Sequence, residues 1–301
     1  MRIGIDLGGH TLIAALISGM EGTPGRVGIE RTIAGNTPSG RCIADVMSAM
    51  AGTIAELARG HDVSGVGVAV PGMVDVDRRH NRRLPNFPIE WDDLDISETL
   101  SRELKLRGCQ LPVAIENDAN CYALGEGIAG EAVGMSDFIV LTMGTGIGGG
   151  IVAGGRLLTG AHGMAGEVGH VVVGGEKPCG CGGVGHAETL AAADGTSKRA
   201  EMAGLPGDFK ELWAKRGEPL ASSVLDETLD AMARTIATVY HVLDPEIVII
   251  GGGMSRAPGL RESLHERTTP YLSRPFKNML DVRISKLGND AALYGAASIA
   301  L

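Results

Sequence analysis

Two stretches far apart in the chain share one design: a short apolar strand, a turn built on glycine, and an apolar strand leading back. In the first, Arg2 to Ile5 leads into Asp6-Leu7-Gly8-Gly9-His10-Thr11, and Leu12 to Ile17 returns. In the second, Asp137 to Met143 leads into Gly144-Thr145-Gly146-Ile147-Gly148-Gly149-Gly150, and Ile151 to Ala153 returns. Glycine in a strand costs chain entropy and packs nothing, so five glycines in seven residues have little structural use. Backbone N–H groups in such turns can face a phosphate, and Asp6 can hold a hydrated cation nearby. The repetition points to a duplicated α/β domain with two phosphate-facing hairpins across a cleft.

Composition bounds the partners. A chain of 301 residues is long for one core, which makes two domains the expectation. Aromatic residues are only 3%, so aliphatic strands and tight turns are expected more than a stacking surface for bases, and a net charge of −9 argues against a nucleic-acid partner. No apolar run is long enough to span a membrane, and Met1 is followed almost at once by a strand-like run where a secretory leader would lie. Five unevenly placed cysteines favour a reducing cytoplasm and a metal over a disulfide framework.

Elsewhere strands alternate with helices. Residues 40–60 read as an amphipathic helix, and Gly65 to Val70 as a buried strand ending in the turn Pro71-Gly72. The arginine-rich run 78–83 reads as a solvated loop with no assigned function. Prolines constrain Leu84-Pro85-Asn86-Phe87-Pro88, where Asn86 can point into a cleft. Ser97 to Leu106 reads as a helix with Ser97 as its cap. Pro112 to Ile115 is a strand, and Glu116-Asn117-Asp118-Ala119-Asn120 joins it to a helix over 121–127. Open α/β sheets place ligands at such junctions, though Asp118 also suits a helix cap. Further on come a helix over 189–203 broken at Gly195, an irregular stretch over 204–219 and a long amphipathic helix from Ser223 to Leu243. The strand Ile247 to Ile250 leaves through Gly251-Gly252-Gly253, where a flat ring or phosphate can approach the backbone. Leu260 to Leu272 reads as a helix, Val282 to Ser285 as a strand, and Asn289 to Leu301 as a helix of small residues that can pack tightly.

Between Gly166 and Glu188 lies GEVGHVVVGGEKPCGCGGVGHAE, with His170 nine residues before Cys179 and Cys181 five before His186. Four soft or borderline ligands at this spacing fit one tetrahedral zinc ion, and the glycines let the backbone wrap it.

With these segments in view, the chain resembles the ROK family of sugar kinases and repressors over nearly its whole length. The resemblance is carried by DLGGHT (6–11), ENDAN (116–120), GTGIGGG (144–150), EVGH (167–170), CGCGGVGHAE (179–188) and IGGG (250–253), in the family's order. It implies an α/β protein of two-domain actin/hexokinase-like fold, a duplicated ribonuclease H-like design with a central cleft. Residues 1–117 with 290–301 would form the N-terminal domain, and 118–289 the larger C-terminal domain with the zinc loop.

The resemblance further implies transfer of phosphate from ATP with Mg²⁺ to a hexose, glucose first among the candidates. Asp118 would be the base. Gly72, Asn86, Asn117, Glu167, His170 and Glu188 would meet the sugar. Gly8, Gly9, His10, Thr11, Gly144, Thr145 and Gly146 would cradle the phosphates, Asp6 would be near Mg²⁺, and Gly252 and Gly253 would lie against adenosine. His170, Cys179, Cys181 and His186 would hold a structural Zn²⁺, with the second nitrogen of His170 turned to a sugar hydroxyl. A homodimer is the common assembly in the family. Three departures stand out: His10 replaces a usual threonine, His186 replaces a third cysteine, and the His170–Cys179 spacing is one residue short. Alternatives within the resemblance are a kinase for N-acetylmannosamine, fructose or allose, or a sugar sensor without catalysis, against which Asp118 and both glycine loops stand. Family repressors carry a DNA-binding helix-turn-helix ahead of the first phosphate motif, for which the residues before Asp6 leave no room.

Overall fold

The computed structural model describes residues 1–20 and 27–300. The chain forms two units: Met1–Gly134, Leu157–Ala165 and Asn289–Leu301 make the first, Met135–Arg156 and Gly166–Gly288 the second.

In the first unit, β1 (Arg2–Leu7) and β2 (Thr11–Ser18) form the hairpin, β3 (Gly28–Asn36) extends it, and α1 (Ile43–Ala58) leads to β4 (Gly65–Val70). A two-stranded ribbon of β5 (Met73–Val74) and β6 (Asn81–Arg83) precedes α2 (Ile96–Leu106), β7 (Val113–Asn117) and α3 (Asp118–Ala129). The sheet order is β3-β2-β1-β4-β7, with β1, β4 and β7 parallel.

The second unit opens with β8 (Phe138–Met143), β9 (Ile147–Ala153) and β10 (Arg156–Leu157). Then come α4 (Ala187–Ala191), α5 (Ala193–Met202), α6 (Phe209–Ala214), α7 (Pro219–Leu243), β11 (Ile247–Gly251), α8 (Leu260–Thr268) and β12 (Val282–Ile284). Its sheet order is β10-β9-β8-β11-β12. Counting main-sheet strands within each unit, both sheets run third, second, first, fourth, fifth. The duplication read from the two glycine hairpins is therefore a duplication of whole sheets.

Strand alternation decides what packs where in the first unit. Ile3, Ile5 and Leu7 of β1 and Val66, Val68 and Val70 of β4 point into one core with Val46, Met50 and Ile54 of α1 and Leu100 and Leu104 of α2. The other face of these strands carries Gly4, Gly67 and Ala69. Onto it packs the closing helix, α9 (Asp290–Ile299), so closely that a Cβ on Gly4 would lie 2.1 Å from the Leu293 carbonyl oxygen. A Cβ on Gly67 would lie 1.7 Å from that of Ala296. Helix α3 meets α9 the same way: Gly125 faces Ala291, and Gly295 faces Cys121. In the second unit the core lies among Ile139, Leu141 and Met143 of β8, Val248 and Ile250 of β11, and the buried face of α7.

Several boundaries differ from the expectation. The first unit extends past 117, because α3 is held against α9 by this glycine contact, and the division falls after Gly134. Residues 157–165 also join the first unit. Asp95, not Ser97, caps α2, its side chain accepting from the Glu98 N–H, while Ser97 is buried and donates to the Val113 carbonyl. Helix α3 begins at Asp118 with Asn117 as its cap. The break after α4 falls at Ala192, which is extended. Gly195 sits inside α5, where a Cβ would lie 2.3 Å from the Thr189 oxygen. The stretch read as irregular contains α6, capped by Asp208. Among the described residues no helix is long and apolar enough to cross a membrane.

The α3–α9 contact predicts opposite outcomes for two helical glycines. Gly295→Ala forces a methyl into the Cys121 backbone, 1.7 Å away in the present packing, and should cost about 1–3 kcal/mol by urea denaturation. Gly52→Ala, on an exposed position of α1 with no atom within 4 Å, should stabilise by about 0.5–1 kcal/mol. Equal effects would show that α3 and α9 are not in close backbone contact.

Candidate functional site

The first unit gathers its carboxylates through sheet register. Asp6 of β1 pairs with Ala69 of β4, and Ala69 pairs with Glu116 of β7, so the two acids flank one alanine in a row across the sheet. Being in register across parallel strands, they share the face onto which α9 packs. Asp118 follows at the first turn of α3, its Oδ1 accepting from the Ala119 N–H at 2.8 Å. Burial, reinforced by the Asp118 carboxylate, raises the pKa of Asp6 to about 7. Burial also pushes the Cys121 thiol well up, with the Glu116, Asp118 and Asp6 carboxylates adding to the effect.

Glu116 is 3% exposed and is balanced by Arg78, whose Nε donates to its Oε2 at 3.1 Å. Its Oε1 accepts from Asn120 Nδ2 and from the Asn117 N–H, both at 3.0 Å. Arg78 has a left-handed backbone, φ 58°, and its carbonyl accepts the Ile115 N–H at 2.9 Å. The run 78–83, read as a solvated loop, thus supplies the counter-cation of the polar cluster; an arginine beside a turn carries no sequence signal for that role. Asn117 is spanned by two partners, its Oδ1 accepting from the Asn120 N–H and its Nδ2 donating to the Gly72 carbonyl. Gly72 has φ 90°, and a Cβ there would lie 2.1 Å from the Arg83 carbonyl oxygen. Asn86 is exposed, with φ 68°.

At the first hairpin tip three successive carbonyls are occupied. Thr37 Oγ1 donates to Gly8, Arg41 Nε to Gly9, and the Thr37 N–H to His10. Gly8 closes the turn on Thr11 by donating its N–H to that carbonyl. The His10 and Thr11 residues are exposed. Occupied carbonyls lower the repulsion that an incoming anion would meet at this turn.

The second glycine loop is shaped from outside itself. Glu188 Oε2 accepts the Ile147 N–H at 3.0 Å, and a Cβ on Gly146 would lie 2.5 Å from that oxygen. Gly149 is fixed by Val168 and the Gly166 carbonyl, and the Gly144 carbonyl accepts from the Ala193 N–H. Gly144 and Thr145 share a cleft of about 1150 Å³ with Gly253. Phe209, Trp213 and Met254 add apolar walls to it, and Asp194, Glu201 and Arg256 add charge. Gly252 backs the strand exit, since its φ is 83° and a Cβ would lie 2.4 Å from the Met143 oxygen. Phe209 and Trp213 lie in the stretch read as irregular. The Asp208-x-x-Glu211 capping pattern was the available signal, and Asp208 does accept the Glu211 N–H at 3.0 Å.

The four expected metal ligands are brought together: one donor atom from each of His170, Cys179, Cys181 and His186 lies within 4.8 Å of the others. A narrow knuckle presents them, with Cys179 donating its N–H to Gly183 and Gly185 donating to Lys177. His186 Nδ1 is 3.2 Å from Cys181 Sγ, and His170 Nδ1 is 3.9 Å from Cys179 Sγ. Zinc bond lengths of about 2.0–2.3 Å imply tetrahedral edges of about 3.3–3.8 Å, close to these two separations, and two thiols with two imidazoles are a donor set that zinc takes. The imidazole that replaces the third cysteine folds over Gly183, where a Cβ would lie 2.4 Å from its ring. The Nε2 of His170 lies 3.7 Å from Glu167 Oε2, beyond hydrogen-bond length. Burial raises the pKa of Glu167, opposed by His170 and helped by Glu188.

Comparison with known proteins agrees with this arrangement. The ROK family pattern matches residues 2–301. The glucokinase of Thermotoga maritima is 37% identical, over 99% of this chain and 96% of its own. The N-acetylmannosamine kinase of Escherichia coli O157:H7 is 31% identical, over 99% of this chain and 97% of its own. The structure of a ROK family glucokinase from Streptomyces griseus, in complex with glucose and AMPPNP, superposes with a TM-score of 0.82 at 29% identity, over 99% of this chain and 98% of that one. Six motifs in order, two sheets of identical strand order and a match from end to end identify the chain as a member of the ROK family.

Proposed function

We propose glucose as the substrate of this ATP-dependent hexose kinase, with Asp118 as the base. The observation that carries the reading is the asymmetry between two otherwise duplicate sheets. Both end their first strand in a glycine turn, but in the first unit the turn stands beside the carboxylates Asp6 and Asp118. Phosphoryl transfer needs little more than position, a proton acceptor and neutralised charge. The sugar hydroxyl oxygen forms a bond to the γ-phosphorus, the bond from that phosphorus to the ADP oxygen breaks, and the hydroxyl proton passes to Asp118. Asp118 needs no raised basicity, because the hydroxyl becomes acidic only as its oxygen bonds to phosphorus.

On this reading Gly72, Asn86, Asn117, Glu167, His170 and Glu188 meet the sugar, Gly8, Gly9, His10, Thr11, Gly144, Thr145 and Gly146 meet the phosphates, and Gly252 and Gly253 meet adenosine. The Phe209 and Trp213 walls suit a nucleoside, which favours ATP over a chain of phosphates alone. Burial disfavours the Asp6 anion, and Asp6 would hold a hydrated Mg²⁺, whose charge would favour the ionised carboxylate and screen the donor phosphates. Zinc in the knuckle would be held by His170, Cys179, Cys181 and His186, a four-ligand set that would make its part structural. It would hold His170 and Glu188 in place, with the second nitrogen of His170 turned to a sugar hydroxyl. We further assign the protein to the cytoplasm, as a homodimer.

Three measurements test this reading. Asp118→Ala should lower kcat for glucose by about 10³-fold or more while glucose still binds by calorimetry; near-normal turnover would remove the base assignment. The purified protein should hold about one zinc per chain, and Cys181→Ser or chelation should release it and lower the melting temperature. Less than half an equivalent with unchanged folding would remove the zinc. The third measurement concerns Asp6, whose folded pKa of about 7 exceeds its ordinary 3.8, so the folded chain holds the proton more tightly. Its contribution to metal-free stability is therefore full below about pH 4 and is lost as pH rises through about 7. Asp6→Asn should flatten that decline in urea unfolding between pH 5 and 8, and an unchanged slope would show that Asp6 titrates normally.

A further inference from the structure

Arg41 lies outside every motif, two residues before α1. Its backbone is left-handed, with φ 48°, a conformation that costs a residue bearing a Cβ. The side chain reaches two loops at once. Nε donates to the Gly9 carbonyl and Nη1 to the Asn86 carbonyl, each at 2.7 Å. Its own carbonyl accepts from Trp91 Nε1 at 2.7 Å, and Trp91 is fully buried with Phe87 set edge-on at 4.9 Å. The two loops already touch, for a Cβ on Gly9 would lie 3.3 Å from the Asn86 Cβ. Both acceptors are neutral carbonyls, so these bonds leave the guanidinium's charge uncancelled beside the hairpin tip.

We propose that Arg41 is a positioning residue that couples the phosphate donor to the hexose by tying the Gly9 turn to the Asn86 loop. The proposal rests on the kinase reading, in which the first of these loops meets the donor phosphates and the second meets the sugar. In-line transfer depends on a fixed separation between hydroxyl and phosphorus, and displacement by about 1 Å can cost about 10²-fold in rate. A planar guanidinium bonded to both backbones holds that separation through two non-collinear bonds. A lysine ammonium at the end of a flexible stem cannot reproduce the fork. Ordering either loop then orders the other, so each ligand tightens its partner's site. The strained backbone aims the fork, and the Trp91 indole secures the strained peptide.

The test uses the full chain with Arg41→Lys, Arg41→Met and Arg41→Gly. Glucose affinity is measured by calorimetry with and without AMPPNP, alongside kcat and the melting temperature. In the wild type AMPPNP should tighten glucose severalfold. In Arg41→Lys and Arg41→Met that factor should fall toward one and kcat should fall tenfold or more, with glucose affinity in the absence of AMPPNP changed less than threefold. Arg41→Gly relieves the backbone strain and vacates the fork, so added methylguanidine should restore part of its kcat. A coupling factor within twofold of wild type in the variants overturns the proposal. So does a parallel collapse of glucose affinity in the absence of AMPPNP and of the melting temperature, which marks a merely structural role. If the wild type prefers another hexose, the coupling is read on that sugar and only the choice of glucose fails. If it phosphorylates none, the kinase reading falls and this inference with it.

Discussion

The first unit depends on the close approach of backbones at glycine. Gly4 and Gly67 let α9 lie on the sheet, and Gly125 and Gly295 let α3 lie on α9. Larger residues would lift α3 and move the turn that carries Asp118 away from the row Asp6-Ala69-Glu116. The helix of small residues at the end of the chain is thus tied to the polar cluster by geometry, through contacts that involve no polar side chain. Dispersion across such tightly packed surfaces is what holds them, since each atom adds little and the number of atoms is large.

That packing has an electrostatic consequence. It places Asp6, Glu116 and Asp118 near a buried thiol, and the effects on Asp6 and Cys121 both favour the uncharged forms. Glu116, only 3% exposed, is paired with the Arg78 guanidinium. Removing one partner of such a pair leaves a charge in a low-dielectric setting, which is more costly than the pair itself. A division of labour follows. Glu116 is neutralised within the protein and braces Asn117 and Asn120. No such guanidinium pairs with Asp6 among the described residues, and burial with the Asp118 carboxylate disfavours its anion.

Much of this was legible in the sequence. The two hairpins showed the duplication because glycine in strands serves so few other ends, and the Cys-x-Cys run with two histidines showed the knuckle because few other functions need that set. The capping residues were less legible. Asp95 and Ser97 are both good caps, and only the start of the buried stripe at Ile96 separates them. The edge strand β3 offers no alternation to read, because most of its side chains are exposed. Arg41 and Arg78 were out of reach altogether. Each acts by bonding residues tens of positions away from a left-handed backbone, and neither spacing nor composition encodes such a contact.

The two glycine turns share a further property that their own sequences do not contain. A turn rich in glycine has many accessible conformations, so its shape must be imposed. In the first unit Thr37 and Arg41 impose it by binding the carbonyls of Gly8, Gly9 and His10. In the second Glu188 imposes it by taking the Ile147 N–H, with Ala193 holding the Gly144 carbonyl. Glu188 also stands 4.0 Å from Cys179 Sγ, so the residue that shapes the loop lies beside the cluster of His170, Cys179, Cys181 and His186. The His186 ring folds over Gly183 just ahead of α4, so the turn that carries this candidate ligand leads directly into the helix whose first turn carries Glu188.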